Sequence, residues 1–464
     1  ISALITGRLG EGWLLETRRW TLFAWGFLTA GIILGAWWAY DVLGWGGYWG
    51  WDPVENASLV PWLTGTAYLH SVLVQERRGL LRVWNLSLIC ATFALTILGT
   101  FITRSGILAS VHAFSAGNFG GWLLVFFALV VTVTVSLIFW RGDRLRSPGG
   151  IDSPLSREGA FLANNLAFAV FAFVVLLGTV FPLIVEALQG RQISVGAPYF
   201  EKMSMPIGFT LLFLMAIAPL LPWRKANSEM LLHRVEWPAW GAALSMVIAV
   251  AVGARGTMPL LGFSMAGFAG MSAVWQLGLS VRRRGVRGFL GRKNGGMVVH
   301  IGVILLAVGF IASSSYVDQA SLSLTPDQKV RIGETDVTYV SSNTYVHSNR
   351  IEEEVLLEVD GQMLSPAVER FIASGQIVPA PDTRITLLED IQVALLKPPE
   401  GEEQKIVIQV TRQPMLIWIW LGGLLMLVGA VLSIFPQTGR PVLRKETFEK
   451  KEVVLEKELK HDSV

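Results

Sequence analysis

The chain has 464 residues, 52% of them hydrophobic and 16% charged, with a mean hydropathy of +0.51. That balance excludes an ordinary soluble domain, and a net charge of +3 gives no support for a nucleic-acid partner. A single cysteine, Cys90, excludes a disulfide framework or a paired-thiol redox centre.

Apolar runs of about 20 residues, the length that crosses a bilayer as a helix, recur ten times: 20–43, 57–74, 83–102, 121–140, 160–184, 207–221, 239–254, 259–281, 297–313 and 416–435. The expected fold class is therefore an α-helical polytopic membrane protein. It has about ten transmembrane helices, with others possible upstream because the sequence opens on Ile1 rather than Met. The first run is too long for a cleavable leader. The seventh is the weakest, since Pro238 and Gly253 bracket it.

Between the first two runs lies GWGGYWGWDPVEN, residues 44–56. Asp52-Pro53-Val54-Glu55 reads as a helix start, with Asp as N-cap and Glu three residues on. That leaves Trp45, Trp49 and Trp51 unexplained, because an interfacial belt needs about one Trp per helix end. Glycines 44, 46, 47 and 50 keep the backbone bare, and indoles offer wide rigid faces. Together they suit a flat aromatic ligand at the lipid boundary. His70 ends the second run and His300 opens the ninth, at matched depth one to two turns inside the same side. Two neutral imidazoles on facing helices suit the two axial positions of a haem iron. The alternative is a pair of polar side chains satisfied by neighbouring helices. Past the third run stand Arg104 and His112. His112 is a candidate axial ligand for a group on the tryptophan loop, and Arg104 a candidate propionate partner or an interfacial anchor. His233, His347 and His461 read as solvated.

Residues 315–415 change character, to short β-branched runs between Gly, Pro and acidic turns, and are expected to form a small mainly-β domain between the last two helices. The division is thus 1–314 helix bundle, 315–415 β domain, 416–435 last helix and 436–464 charged tail. If the ten runs alternate, one side holds 26 of the 38 Lys and Arg, and the opposite short loops hold only Arg104, Arg191, Lys202 and Arg255. Such bias places the basic side in the cytoplasm and the tryptophan loop outside, in the periplasm or its equivalent.

The stretch Trp45-Gly46-Gly47-Tyr48-Trp49-Gly50-Trp51-Asp52 resembles the WWD signature of the haem-handling proteins of cytochrome c maturation. With PVENASLVPWLTGTAYLHS, GTFITRSGILASVHAF and the histidine opening the ninth run, the sequence is similar to the CcmF family of haem lyases from Ile1 to about Pro436. The resemblance implies a substrate haem held at Trp45, Gly46, Trp49, Trp51, Asp52 and His112. It also implies a membrane haem b ligated by His70 and His300 that passes electrons from quinol. The implied activity joins the haem vinyls to the cysteines of a CxxCH motif in apocytochrome c. The implied partners are that client, a CcmE-like haem chaperone, a CcmH-like thioreductase subunit and the bilayer, with no nucleic acid. The family carries a second periplasmic histidine, expected upstream of Ile1. Competing expectations are a haem exporter or relay without ligation activity, a polytopic solute transporter, and a quinol-oxidising cytochrome b.

Overall fold

A computed structural model describes residues 1–7, 12–42, 47–108, 110, 119–145, 149–225, 228–333, 335–400 and 403–435. Ten long helices occur among them: α1 (Gly12–Val42), α2 (Pro53–Arg78), α3 (Arg82–Arg104), α4 (Gly120–Trp140), α5 (Arg157–Gln189), α6 (Ala197–Ile217), α7 (Ser228–Ala251), α8 (Thr257–Arg284), α9 (Arg292–Ser315) and α10 (Ile417–Ile434). Eight are long and apolar enough to cross a membrane, and α2 and α7 are the two that fall short. The ten expected runs thus correspond to ten helices, of which eight meet the criterion of composition.

Helix α2 falls short for a physical reason. It lies inside the bundle, against α1, α3 and α5, and buries Asn56, Thr64, Thr66, Ser71 and Gln75. Trp25 Nε1 donates to Thr66 Oγ1 at 2.8 Å, Thr92 Oγ1 to Thr64 Oγ1 at 2.9 Å and Asn85 Nδ2 to Gln75 Oε1 at 2.7 Å. Polar groups screened from lipid by other helices carry less solvation cost when they bond across the bundle. Two other helices, α6 and α7, start ten or more residues before their expected bounds. Helix α6 begins ten residues early, with Pro198 in its first turn and Glu201 and Lys202 inside it, so charged residues truncated the apolar run but not the helix. Helix α7 runs straight through Pro238, as membrane helices with neighbours can.

Helices α9 and α10 pack most closely. Gly295, Gly302 and Gly309 recur every seven residues along one face of α9. Gly422 and Gly429 answer on α10. A Cβ at Gly302 would stand 2.6 Å from the Gly422 carbonyl oxygen, and one at Gly422 equally close to that of Gly302. Small residues are what let two backbones approach this far. Helix α9 carries His300.

Ten strands lie between α9 and α10: β1 (Asp318–Leu324), β2 (Lys329–Ile332), β3 (Thr335–Val346), β4 (Arg350–Val359), β5 (Gln362–Leu364), β6 (Ala367–Phe371), β7 (Ile377–Ala380), β8 (Asp382–Ile385), β9 (Glu389–Glu400) and β10 (Lys405–Pro414). One antiparallel sheet is ordered β1-β10-β9-β8 and the other β2-β3-β4-β6-β7, with β5 on β4. Ile391, Val393 and Leu395 alternate inward on β9, as do Ile406, Ile408 and Val410 on β10, to share a core with Val355, Leu357 and Val359 of β4. The period of two supplies the buried face of each sheet.

This domain is seated on the bundle. Gln392 Nε2 donates to the Tyr40 carbonyl at 3.0 Å and Trp418 Nε1 to that of Leu387 at 2.9 Å. Asp390 is buried at the seam. Burial pushes its carboxyl up to about 7, opposed by the Thr386 backbone and the Tyr40 hydroxyl and reinforced by Glu389. On the opposite, basic face, Arg78 bonds Glu158 at 3.0 Å and Asp152 at 2.7 Å.

Candidate functional site

The two expected loci fall at opposite ends of α2. From Asp52 to His70 is 18 residues, about 27 Å of helix, so the tryptophan loop adjoins the β domain and the histidines lie towards the basic face.

At the inner locus, α2 and α9 bring His70 and His300 together, with ring centres 6.1 Å apart and planes within 25°. His70 Nδ1 lies 2.9 Å from the Thr66 carbonyl oxygen. A carbonyl only accepts, so Nδ1 carries the proton and the Nε2 lone pair is left to ligate. Among the described residues His300 makes no hydrogen bond. Phe161 and Phe168 of α5 flank His70, at 6.0 and 6.1 Å between centres. Two neutral nitrogen donors in an apolar frame fit a bis-imidazole metal site. The ring separation also matches two such rings across one iron, at roughly 2 Å per metal–nitrogen bond plus the ring radii. No cluster of three or more metal-binding side chains competes for a metal among the described residues.

At the outer locus, Trp45, Gly46 and His112 lie outside the described residues. The described half is held firmly. The Asp52 carboxylate accepts from Val54 N at 2.9 Å while Glu55 Oε2 accepts from Asp52 N and Gly50 N, each at 3.0 Å, which completes the capping box. Asp52 Oδ2 also accepts from Ser110 Oγ at 2.6 Å, tying the segment two residues before His112 to the loop. Trp51 takes a left-handed φ of +56°, its carbonyl accepting from Asn56 Nδ2 at 3.0 Å. Its ring stacks on Phe200 at 5.1 Å and 8°, and Trp49 meets it edge-on at 6.0 Å and 87°. Tyr48 bonds Ser313 at 2.8 Å, and burial pushes its hydroxyl up to about 12 against that bond. Arg104 ends α3, exposed, on this same face.

Sequence reasoning missed several partners. The Thr66 carbonyl carries no side-chain signal. Phe161 and Phe168 look like any apolar membrane residues. Phe200 stood in a stretch read as a loop. Only Ser110, beside a candidate histidine, had a position that hinted at its contact.

Fold and loci define a polytopic membrane protein with a histidine pair in its bundle, an aromatic loop on one face and a β domain above it. A family model described as Cytochrome C assembly protein matches residues 11–108. The CcmF cytochrome c-type biogenesis protein of Pseudomonas aeruginosa is 36% identical over 461 residues, covering 93% of this chain and 67% of that one. CcmF of Escherichia coli K12 is 34% identical, covering 94% and 68%. A solved structure, Cytochrome c Heme Lyase CcmF, superposes with a TM-score of 0.79 at 32% identity, covering 94% of this chain and 68% of that one. The chain belongs to the CcmF family of cytochrome c-type biogenesis proteins and spans about two thirds of the length of these relatives.

Proposed function

We propose that the chain is the haem-ligating component of cytochrome c biogenesis, acting at the periplasmic face of the inner membrane. The likeness to a solved haem lyase over 94% of the chain is the observation that carries this reading. The substrate haem lies against the loop of Trp45, Gly46, Trp49 and Trp51, with His112 as axial ligand and Arg104 near a propionate. The CxxCH thiols of apocytochrome c add across the haem vinyls. Each sulfur bonds the carbon next to the ring and its proton goes to the terminal carbon, with no net redox change. Both thiols come from the client, since Cys90 is buried within α3.

The loop contributes positioning. Its glycines admit the client's backbone, and its capped, cross-bonded base holds Trp49 and Trp51 still, so that an encounter becomes a near-attack geometry. His70 and His300 hold a haem b, which would supply single electrons from quinol to keep the substrate iron reduced. The proton fixed on His70 Nδ1 by Thr66 keeps Nε2 available for that iron. A CcmE-like chaperone delivers haem, and a CcmH-like subunit presents the client to the β domain.

The test is covalent haem attachment to a co-expressed apocytochrome c, with the reduced spectrum of the purified protein read in parallel. His112→Ala abolishes attachment. His70→Ala and His300→Ala abolish the six-coordinate b-type spectrum. Normal attachment by the first variant, or a normal spectrum in both of the others, removes the corresponding half of the reading.

A further inference from the structure

Arg77 stands seven residues after His70 on α2, and Lys293 seven residues before His300 on α9. Seven residues are two helical turns, which return to nearly the same helix face about 10 Å along the axis. Each imidazole therefore has a cation on its own face, displaced towards the basic side by about the reach from the centre of a porphyrin to the carboxylates at its edge. A third cation comes from α5. Arg157 lies one turn before Phe161, which packs on His70, and its guanidinium is fixed by donation to the Leu221 carbonyl at 2.9 Å and the Pro219 carbonyl at 2.7 Å.

The three cations crowd one another. Lys293 stands in the field of Arg157, Arg283, Arg284 and Arg77, and Arg157 in that of Arg234 and Arg77, opposed by Glu158. The nearby carboxylate, Glu158, is bonded to Arg78 and to the backbone N–H of Arg224. Among the described residues neither Arg77 nor Lys293 forms an ion pair. Arg77 and Lys293 are exposed, so an anion can reach the three cations and relieve their mutual repulsion.

We propose that Arg77, Arg157 and Lys293 form a clamp for the two propionate carboxylates of the haem held by His70 and His300. The proposal rests on the reading of that histidine pair as haem ligands. It sets the orientation of the haem, with its carboxylate edge towards the basic face and its apolar edge towards the membrane interior. Positive charge at the edge also disfavours the ferric state, so the clamp holds the midpoint potential up.

The test follows the six-coordinate b-type band of the purified haem-loaded protein. Transfer of this haem to excess apomyoglobin and the midpoint potential are measured for wild type, Arg77→Gln, Lys293→Gln and Lys293→Arg. Each Gln variant releases haem roughly fivefold faster, as expected for a partly exposed charge pair, and has a lower potential, while Lys293→Arg behaves as wild type. Reconstitution with haem dimethyl ester, which has no carboxylates, makes wild type release haem as fast as the Gln variants and erases their difference. Equal release by wild type and both Gln variants overturns the clamp. So does a difference that persists with the ester, which would make these cations anchors for lipid phosphate. A six-coordinate spectrum surviving in both His70→Ala and His300→Ala instead overturns the underlying histidine reading, whatever the cation variants do.

Discussion

Gly302→Ala tests whether the close seam between α9 and α10 sets the position of His300. The added methyl would stand 2.6 Å from the Gly422 carbonyl oxygen, 2.8 Å from Met426 N and 2.8 Å from Met426 Cγ. A carbon facing a carbonyl oxygen ordinarily rests at about 3.3–3.6 Å, so the two backbones must part by about 0.7–1 Å. Both near atoms at 2.6 and 2.8 Å include backbone, which cannot turn aside as a side chain can. Overpacking of this kind costs about 1–3 kcal/mol. Gly296, on the same helix, has no atom within 4 Å of its would-be Cβ. Gly296→Ala therefore gains about 0.5–1 kcal/mol from reduced backbone freedom alone. Unfolding of the two variants in one detergent, followed by helical circular dichroism, should shift in opposite directions. The b-type spectrum should weaken only in Gly302→Ala, because His300 sits half a turn away. Equal shifts of the same sign would refute the argument that the seam is at van der Waals contact.

Asp390→Asn removes a buried acid whose carboxyl is pushed up to about 7 from an ordinary 3.8. Between those values the unfolded chain has given up a proton that the folded one keeps. Wild-type stability therefore falls from about pH 4 to pH 7 and levels off above, by on the order of 4 kcal/mol. The variant should show a flat profile in thermal denaturation across that window, and a slope equal to wild type would contradict it. Asp52→Ala removes the cap of α2 and the acceptor for Ser110, and should cost about 1–2 kcal/mol, seen as faster proteolysis of the 44–56 loop. Asp52→Asn keeps an acceptor oxygen and should stay near wild type. Phe200→Leu takes away the face on which Trp51 rests, worth about 0.5–1.5 kcal/mol beyond area, and should lower covalent haem attachment with the b-type spectrum unchanged.

Much of this could be read in the sequence because lipid imposes a simple rule. A run of about 20 apolar residues reports a helix that faces hydrocarbon, as at α4. The rule weakens where lipid is absent. Helix α2 faces other helices, so its composition is mixed, and α6 hides its first ten residues behind Glu201 and Lys202. The N-cap at Asp52 was legible because capping chemistry is local, and the structure forms the whole box. The convergence of His70 and His300 was legible from depth alone. Their 6.1 Å spacing was not, since it depends on glycines 295, 302 and 309 drawing α9 against α10, and on α5 filling the third side. Phe200 beside Trp51 is a contact between segments 149 residues apart in number, and no local pattern announces it.

The hydroxyls and amides along α2 also constrain how the protein is made. A segment bearing Asn56, Thr64, Thr66, Ser71 and Gln75 partitions poorly into hydrocarbon by itself. Trp25 of α1 is already there to bond Thr66, but the segment must wait at the insertion machinery until Asn85 and Thr92 of α3 arrive to take up Gln75 and Thr64. Assembly of the helix that carries His70 is thereby coupled to synthesis of the helix that follows it. A ribosome stalled before Arg82 should leave α2 accessible to water-borne thiol labels at introduced cysteines, and one stalled well past Arg104 should not.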